Sequence, residues 1–258
     1  MEFKEFGDKQ NPKLLLIHGS ASTWELNFGS IVEELSDDYF LILPILNGHN
    51  PNEKKEFHSI EEEAKDIENY IIEQYDGKID AAYGISFGGS ILIQLLADNN
   101  ISIGKTILDS AVCMPMGIFA NLTAKAFASQ IIKLENNEPL SPVMKIISGL
   151  DDHKIRKAYS DNTKTSYIPQ IPYVSPETIR KTILECTRFR IPASITSTAS
   201  EVTFWYGGKE PMAIKSARNL KKFLPDMSIK IFEDLGHGGL IMNPERLISE
   251  LRQKLKKG

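Results

Sequence analysis

The sequence predicts an α/β protein built on a mostly parallel, doubly wound sheet, with a helical segment inserted near the middle of the chain. Two observations carry this. Short apolar runs rich in Leu and Ile alternate with longer amphipathic stretches, the order of parallel strands buried on both faces and joined by crossover helices. Between about Cys113 and Ser200 the alternation stops, and helical patterns follow one another with no strand pattern among them.

Phe3 to Phe6 reads as an edge strand and Leu14 to Ile17 as the first buried one. Leu26 to Leu35 has helical spacing, and the run Tyr39 to Leu43 returns to strand. The next helix, Ile60 to Tyr75, opens with Ser59 and, three residues on, Glu62, a capping-box arrangement that satisfies free backbone donors at the helix start. Ile79 to Tyr83 is a strand that runs into a helix over Phe87 to Ala97, and Thr106 to Leu108 is the strand after it. Beyond the insertion come a strand at Val202 to Tyr206, a helix at Ala213 to Phe223, a strand at Ile229 to Phe232 and a helix at Pro244 to Leu255.

The expected organisation is therefore a core of residues 1–112 and 200–258, with 113–199 as a helical lid. Within it Ile118, Phe119, Leu122, Phe127, Ile131 and Leu134 recur at helical spacing, as do Ile179, Ile183 and Leu184. Phe119, Leu122 and Phe127 are the candidates to roof a substrate pocket. Packing on the sheet and on each other accounts for the same spacing.

Composition narrows the function classes. A chain that is 41% hydrophobic and 25% charged can bury a sizeable core, and a formal net charge of -4 offers no basic field for nucleic acid or an anionic membrane. The N-terminus lacks the basic-then-apolar order of a secretory signal, and no apolar run has membrane-spanning length, so a cytoplasmic protein is expected. Cys113 and Cys186 are far apart and no His-x-x-x-His occurs, which predicts no metal site. The glycines near position 84 do not form Gly-x-Gly-x-x-Gly, so no dinucleotide is expected, nor any other cofactor.

Gly84-Ile85-Ser86-Phe87-Gly88-Gly89 lies between a strand pattern and a helix pattern, the context that G-x-S-x-G requires. A sharp strand-to-helix turn strains the nucleophile's backbone and crowds its neighbours, which glycines on either side relieve. Ser86 is the candidate nucleophile, at a helix N-terminus that favours developing negative charge. Of the histidines, His237 stands in Leu235-Gly236-His237-Gly238-Gly239 after the last strand pattern, at the same carboxyl edge of the sheet as Ser86. It is the candidate base. His58 and His153 sit among charged residues and read as solvated.

With a buried strand running into His18-Gly19-Ser20-Ala21, the chain resembles the α/β-hydrolase family. The resemblance implies an oxyanion hole from the backbone N–H groups of Ser20 and Phe87, with His18 bracing its loop rather than catalysing. His49, in Gly48-His49, matches a structural Gly-His loop, although Ile45 stands where members often have Asp. Tyr206-Gly207-Gly208-Lys209-Glu210-Pro211 resembles the family's Gly-x-x-Asp-Pro turn, which makes Glu210 the acid that orients His237. Asp109, after the Thr106 to Leu108 strand, is the reserve, because some members place their acid there.

These residues point to a serine hydrolase acting on a small or medium carboxylic ester, thioester or lactone through an acyl-enzyme. Hydrolysis of a carbon-carbon bond is the alternative within the same fold, with Arg188 and Arg190 as possible partners for a substrate carboxylate. A binding protein, sensor or scaffold with slow or no turnover is the alternative of another class.

Overall fold

The computed structural model describes residues 1–50, 55–135, 138–142, 145 and 174–256. His153 therefore lies outside the described residues, as does the side chain of Leu134. The described residues form one seven-stranded sheet in the order β1-β3-β2-β4-β5-β6-β7. The strands are β1 (Glu2–Phe6), β2 (Lys13–Ile17), β3 (Phe40–Ile45), β4 (Lys78–Ile85), β5 (Ser102–Asp109), β6 (Glu201–Gly207) and β7 (Ser228–Phe232). All neighbours run parallel except β1, which pairs antiparallel with β3 and shields that edge.

Strand alternation divides the core. Leu15 and Ile17 of β2 and Phe40 and Ile42 of β3 face one apolar layer, while Leu14, Leu16, Leu41 and Leu43 face the other. All eight are at most 2% exposed, which explains why the strands read as unbroken apolar runs. Fully burying such a side chain is worth about 1.5–3 kcal/mol. Helices α2 (Ile60–Tyr75) and α3 (Phe87–Asp98) supply the first layer; α1 (Trp24–Leu35) and the C-terminal helix supply the second. Thr23 caps α1 and Ser59 caps α2, each side chain accepting from the backbone N–H three residues on.

Between β5 and β6 come α4 (Ala120–Glu135) and α5 (Pro176–Arg188). They pack on each other through Ala124, Ala128, Ile179 and Ile183, with Phe127 and Ile131 beside them, and they touch Ala21 in the turn after β2. Ile118, Phe119 and Leu122 point to solvent. The inward ridge of α4 is Ala120, Ala124 and Ala128, spaced by four so that α5 can approach closely, and bulky residues mark it only further along. After β6 follow α6 (Pro211–Leu220), β7 and α7 (Pro244–Leu255). No helix among the described residues is long and apolar enough to cross a membrane.

Candidate active site

β4 ends at Ile85 and α3 begins at Phe87, leaving Ser86 alone in the turn with φ 53° and ψ −111°. This left-handed backbone holds because the turn is pinned: Ser86 N–H donates to Asp109 C=O at the end of β5 (2.8 Å). Gly88 has no room for a side chain, since a Cβ there would lie 2.3 Å from Ile17 O and 2.7 Å from His18 O. That close approach brings the turn after β2 against the start of α3.

His237 lies between β7 and α7, and its Nε2 is 3.1 Å from Ser86 Oγ. Its Nδ1 is 2.7 Å from Glu210 Oε2. Glu210 follows β6 and precedes α6, with its carboxylate buried. The other oxygen, Oε1, accepts from Gly207 N–H at 2.6 Å and from the Ser110 hydroxyl at 2.9 Å. Burial disfavours the His237 imidazolium, but the Glu210 hydrogen bond and charge are the largest opposing effects, and the histidine's pKa is raised. A hydroxyl, an imidazole and a buried carboxylate in this order can move a proton off the serine and stabilise the cation that results.

Asp109 is not bonded to His237. Its carboxyl sits one layer deeper, accepting from Tyr83 Oη at 2.5 Å and 3.0 Å from Ser110 Oγ. Burial, reinforced by the Glu210 charge and opposed by these two hydroxyls, lifts it to about 6. No motif in the sequence marks Tyr83 or Ser110; adjacency to Asp109 is the one signal for Ser110. Asp234, close to His237 in sequence, pairs with Arg246 instead (2.8 Å).

The turn after β2 carries Ser20, whose N–H makes no hydrogen bond among the described residues, and Phe87 N–H begins α3, where helix donors have no intrahelical partner. His18 and His49 are fully buried behind this turn. His18 Nε2 accepts from Leu46 N–H (3.4 Å) and its Nδ1 meets Gly19 C=O (2.9 Å), so the ring braces the loop; burial first, then the neighbouring His49, lowers its pKa to about 3. His49 Nε2 lies 2.6 Å from Ser20 C=O. His58 is exposed.

Ser86, His237, Glu210, Ser110 and Ser20 open onto a cavity of about 120 Å³. Its walls are mostly apolar, with Val112, Phe127, Ile131, Leu140, Ile183 and Met212, and carry Gln130 and Thr187 as polar side chains. Phe127 thus faces the cavity, whereas Phe119 and Leu122 lie outside it, as do Arg188 and Arg190. A larger groove, 670 Å³, lies at the opposite ends of β4 and β5 around Asp76, Lys78 and Ser102; it contains no comparable set of bonded side chains.

The family model for the alpha/beta hydrolase fold matches residues 12–133, from β2 through the elbow to α4. An α/β-hydrolase family protein from Desulfitobacterium hafniense superposes with a TM-score of 0.81 at 25% identity, covering 98% of this chain and 99% of that one. The chain has the α/β-hydrolase fold. More distant solved structures share the fold: a lipase-esterase related protein from Clostridium acetobutylicum (TM-score 0.71, 19% identity, 98% of each chain) and a thermophilic esterase from Thermogutta terrifontis (0.72, 18%, 99% and 94%). Comparison with curated proteins gave no match.

Proposed function

We propose that this α/β-hydrolase is a serine esterase for small carboxylic esters. The observation that carries the reading is the hydrogen-bonded chain from Ser86 through His237 to Glu210, opening into a mostly apolar cavity. Ser86 Oγ attacks the ester carbonyl while His237 Nε2 takes its proton. The negative charge that develops on the carbonyl oxygen faces the Ser20 and Phe87 N–H groups. Protonated His237, steadied by Glu210, then gives its proton to the departing alkoxide, leaving an acyl group on Ser86. A water deprotonated by His237 releases the acid. Every step uses side chains and backbone of this chain, so the reading calls for no cofactor.

Residues 113–199 act in this reading as a lid, with Phe127 and Ile131 of α4 and Ile183 of α5 walling the acyl side. A cavity of about 120 Å³ is slightly smaller than the roughly 150 Å³ cavity that holds benzene, which favours short acyl chains. The test is a series of p-nitrophenyl esters from acetate to palmitate, with a lactone and a thioester alongside. Turnover is expected to peak among the short esters. A palmitate optimum contradicts the cavity argument, and a folded protein that turns over none of them moves the binding-protein reading ahead.

A further inference from the structure

Behind Glu210 two carboxyl oxygens share a single hydroxyl hydrogen. Ser110 Oγ lies 3.0 Å from Asp109 Oδ1 and 2.9 Å from Glu210 Oε1. A hydroxyl has one hydrogen and donates it once. Were both acids charged, the carboxylate oxygen that does not receive this hydrogen would lie against a lone pair of Ser110 with no hydrogen between them, even at Glu210 Oε1 where Gly207 N–H also donates, an arrangement that costs free energy in a low-dielectric interior.

We infer that Asp109 is a positioning residue of this site: its Oδ1 carries a proton and donates it to Ser110 Oγ, which commits the Ser110 hydrogen to Glu210.

The surrounding donors favour this distribution. Glu210 accepts from Gly207 N–H, from Ser110 and from His237, whereas among the described residues Asp109 has only the Tyr83 hydroxyl besides Ser110. The titratable groups bearing on Asp109 are Tyr83 on β4, Glu210 after β6 and His237 after β7. Tyr83 is held well above its usual range, by burial first, so it stays a neutral donor. With the Ser110 hydrogen directed at Glu210, Asp109 loses one of the two donors that favour its anion, and burial and the Glu210 charge then hold its proton more tightly. The chain Asp109, Ser110, Glu210, His237, Ser86 has a donor for every acceptor along it. It contains one carboxylate charge, placed against the one histidine that must become positive.

The inference rests on the esterase reading for its consequence in catalysis, though not for the proton itself. The direct test is infrared spectroscopy of the whole protein across pH. A protonated-carboxyl C=O band that is absent from Asp109→Asn is expected to titrate with a midpoint above pH 6. A carboxyl at position 109 that ionises near pH 4, the ordinary range, overturns the inference.

Activity supplies the second arm. Asp109→Ala leaves the Ser110 hydroxyl undirected and is expected to lower kcat by about tenfold or more, the scale of one hydrogen bond to a charged group. Ser110→Ala should fall similarly. Asp109→Asn should recover most of the Asp109→Ala loss, because its amide accepts from Tyr83 and donates to Ser110 as the neutral acid does. Equal damage from Asn and Ala means that the charge of Asp109 matters, and the inference fails. If the wild type hydrolyses no ester, the esterase reading fails while the infrared band still decides the proton; if turnover is normal and the band is missing, only the inference falls.

Discussion

Replacing Glu210 by Gln tests the link between geometry and rate at its weakest point in sequence terms, a Glu where the family's turn usually has Asp. Two donors, Gly207 N–H at 2.6 Å and Ser110 Oγ at 2.9 Å, point at Oε1, so the carbonyl oxygen of a glutamine must take that site. Its NH₂ group is then left facing His237 Nδ1, where the carboxylate oxygen stood at 2.7 Å. Nδ1 can no longer donate, and the ring is driven to the tautomer with hydrogen on Nε2, which cannot accept the Ser86 proton. The lost attraction for the imidazolium is about 4 kcal/mol at an effective dielectric of 20, or about 10³ in rate, and the wrong tautomer adds to it. The expected fall in kcat is between about 10³ and 10⁴, with KM for a short p-nitrophenyl ester little changed. Glu210→Asp should recover part of the rate, since the charge returns with a shorter reach. A loss under tenfold in folded Glu210→Gln refutes the reasoning, and so does an Asp109→Asn variant that is dead while Glu210→Gln is not.

The His237 pKa is raised above 6.5, and the base works in its neutral form, so kcat/KM should be lost as pH falls through a midpoint above 6.5. A pH profile with that limb below 6 contradicts the assignment. For stability the Asp109 sign runs the other way from an ordinary paired carboxylate: its folded pKa of about 6 lies above the unfolded value, so the native state binds the extra proton. Stability from this group is present below about pH 4 and lost as pH rises through its folded midpoint, at or above about 6, and Asp109→Asn should gain on the wild type beyond that, by about 3 kcal/mol or more. Denaturation at pH 4 and pH 8 measures it; an equal difference at both pH values contradicts it. Phe127→Ala should move the ester preference toward longer acyl chains, because it enlarges the cavity, while exposed Phe119→Ala should leave preference alone and stability within about 0.5 kcal/mol. A chain-length series with both variants decides, and a shift from Phe119→Ala would contradict the cavity wall described above.

How far the sequence could be read follows from what each signal depends on. β2 and β3 were legible because both faces of the sheet are covered and every residue from Leu14 to Ile17 is buried. β5 begins at Ser102, four residues before the apolar run at Thr106, since in its first half Ser102, Gly104 and Lys105 leave only Ile103 to mark the strand, and that half is aligned by pairing with β4. The elbow and the His237 loop could be found locally because strained turns demand glycine. Lid packing could not: α4 buries a ridge of alanines, and a reading that followed Phe119 and Leu122 chose its exposed side. The Asp109 to Ser110 to Glu210 connection joins residues 100 apart, and nothing in a single sequence marks a hydroxyl placed between two acids.

The central claim is that Ser86 is a nucleophile activated by His237. A fluorophosphonate probe reacts with such a serine and stays bonded to it, so intact-protein and peptide mass spectrometry give the answer directly. The account predicts one phosphonyl adduct per chain, on the peptide containing Ser86, abolished by Ser86→Ala and slowed at least about a hundredfold by His237→Ala. A folded protein that gains no adduct, or one that is labelled elsewhere with Ser86 untouched, contradicts it.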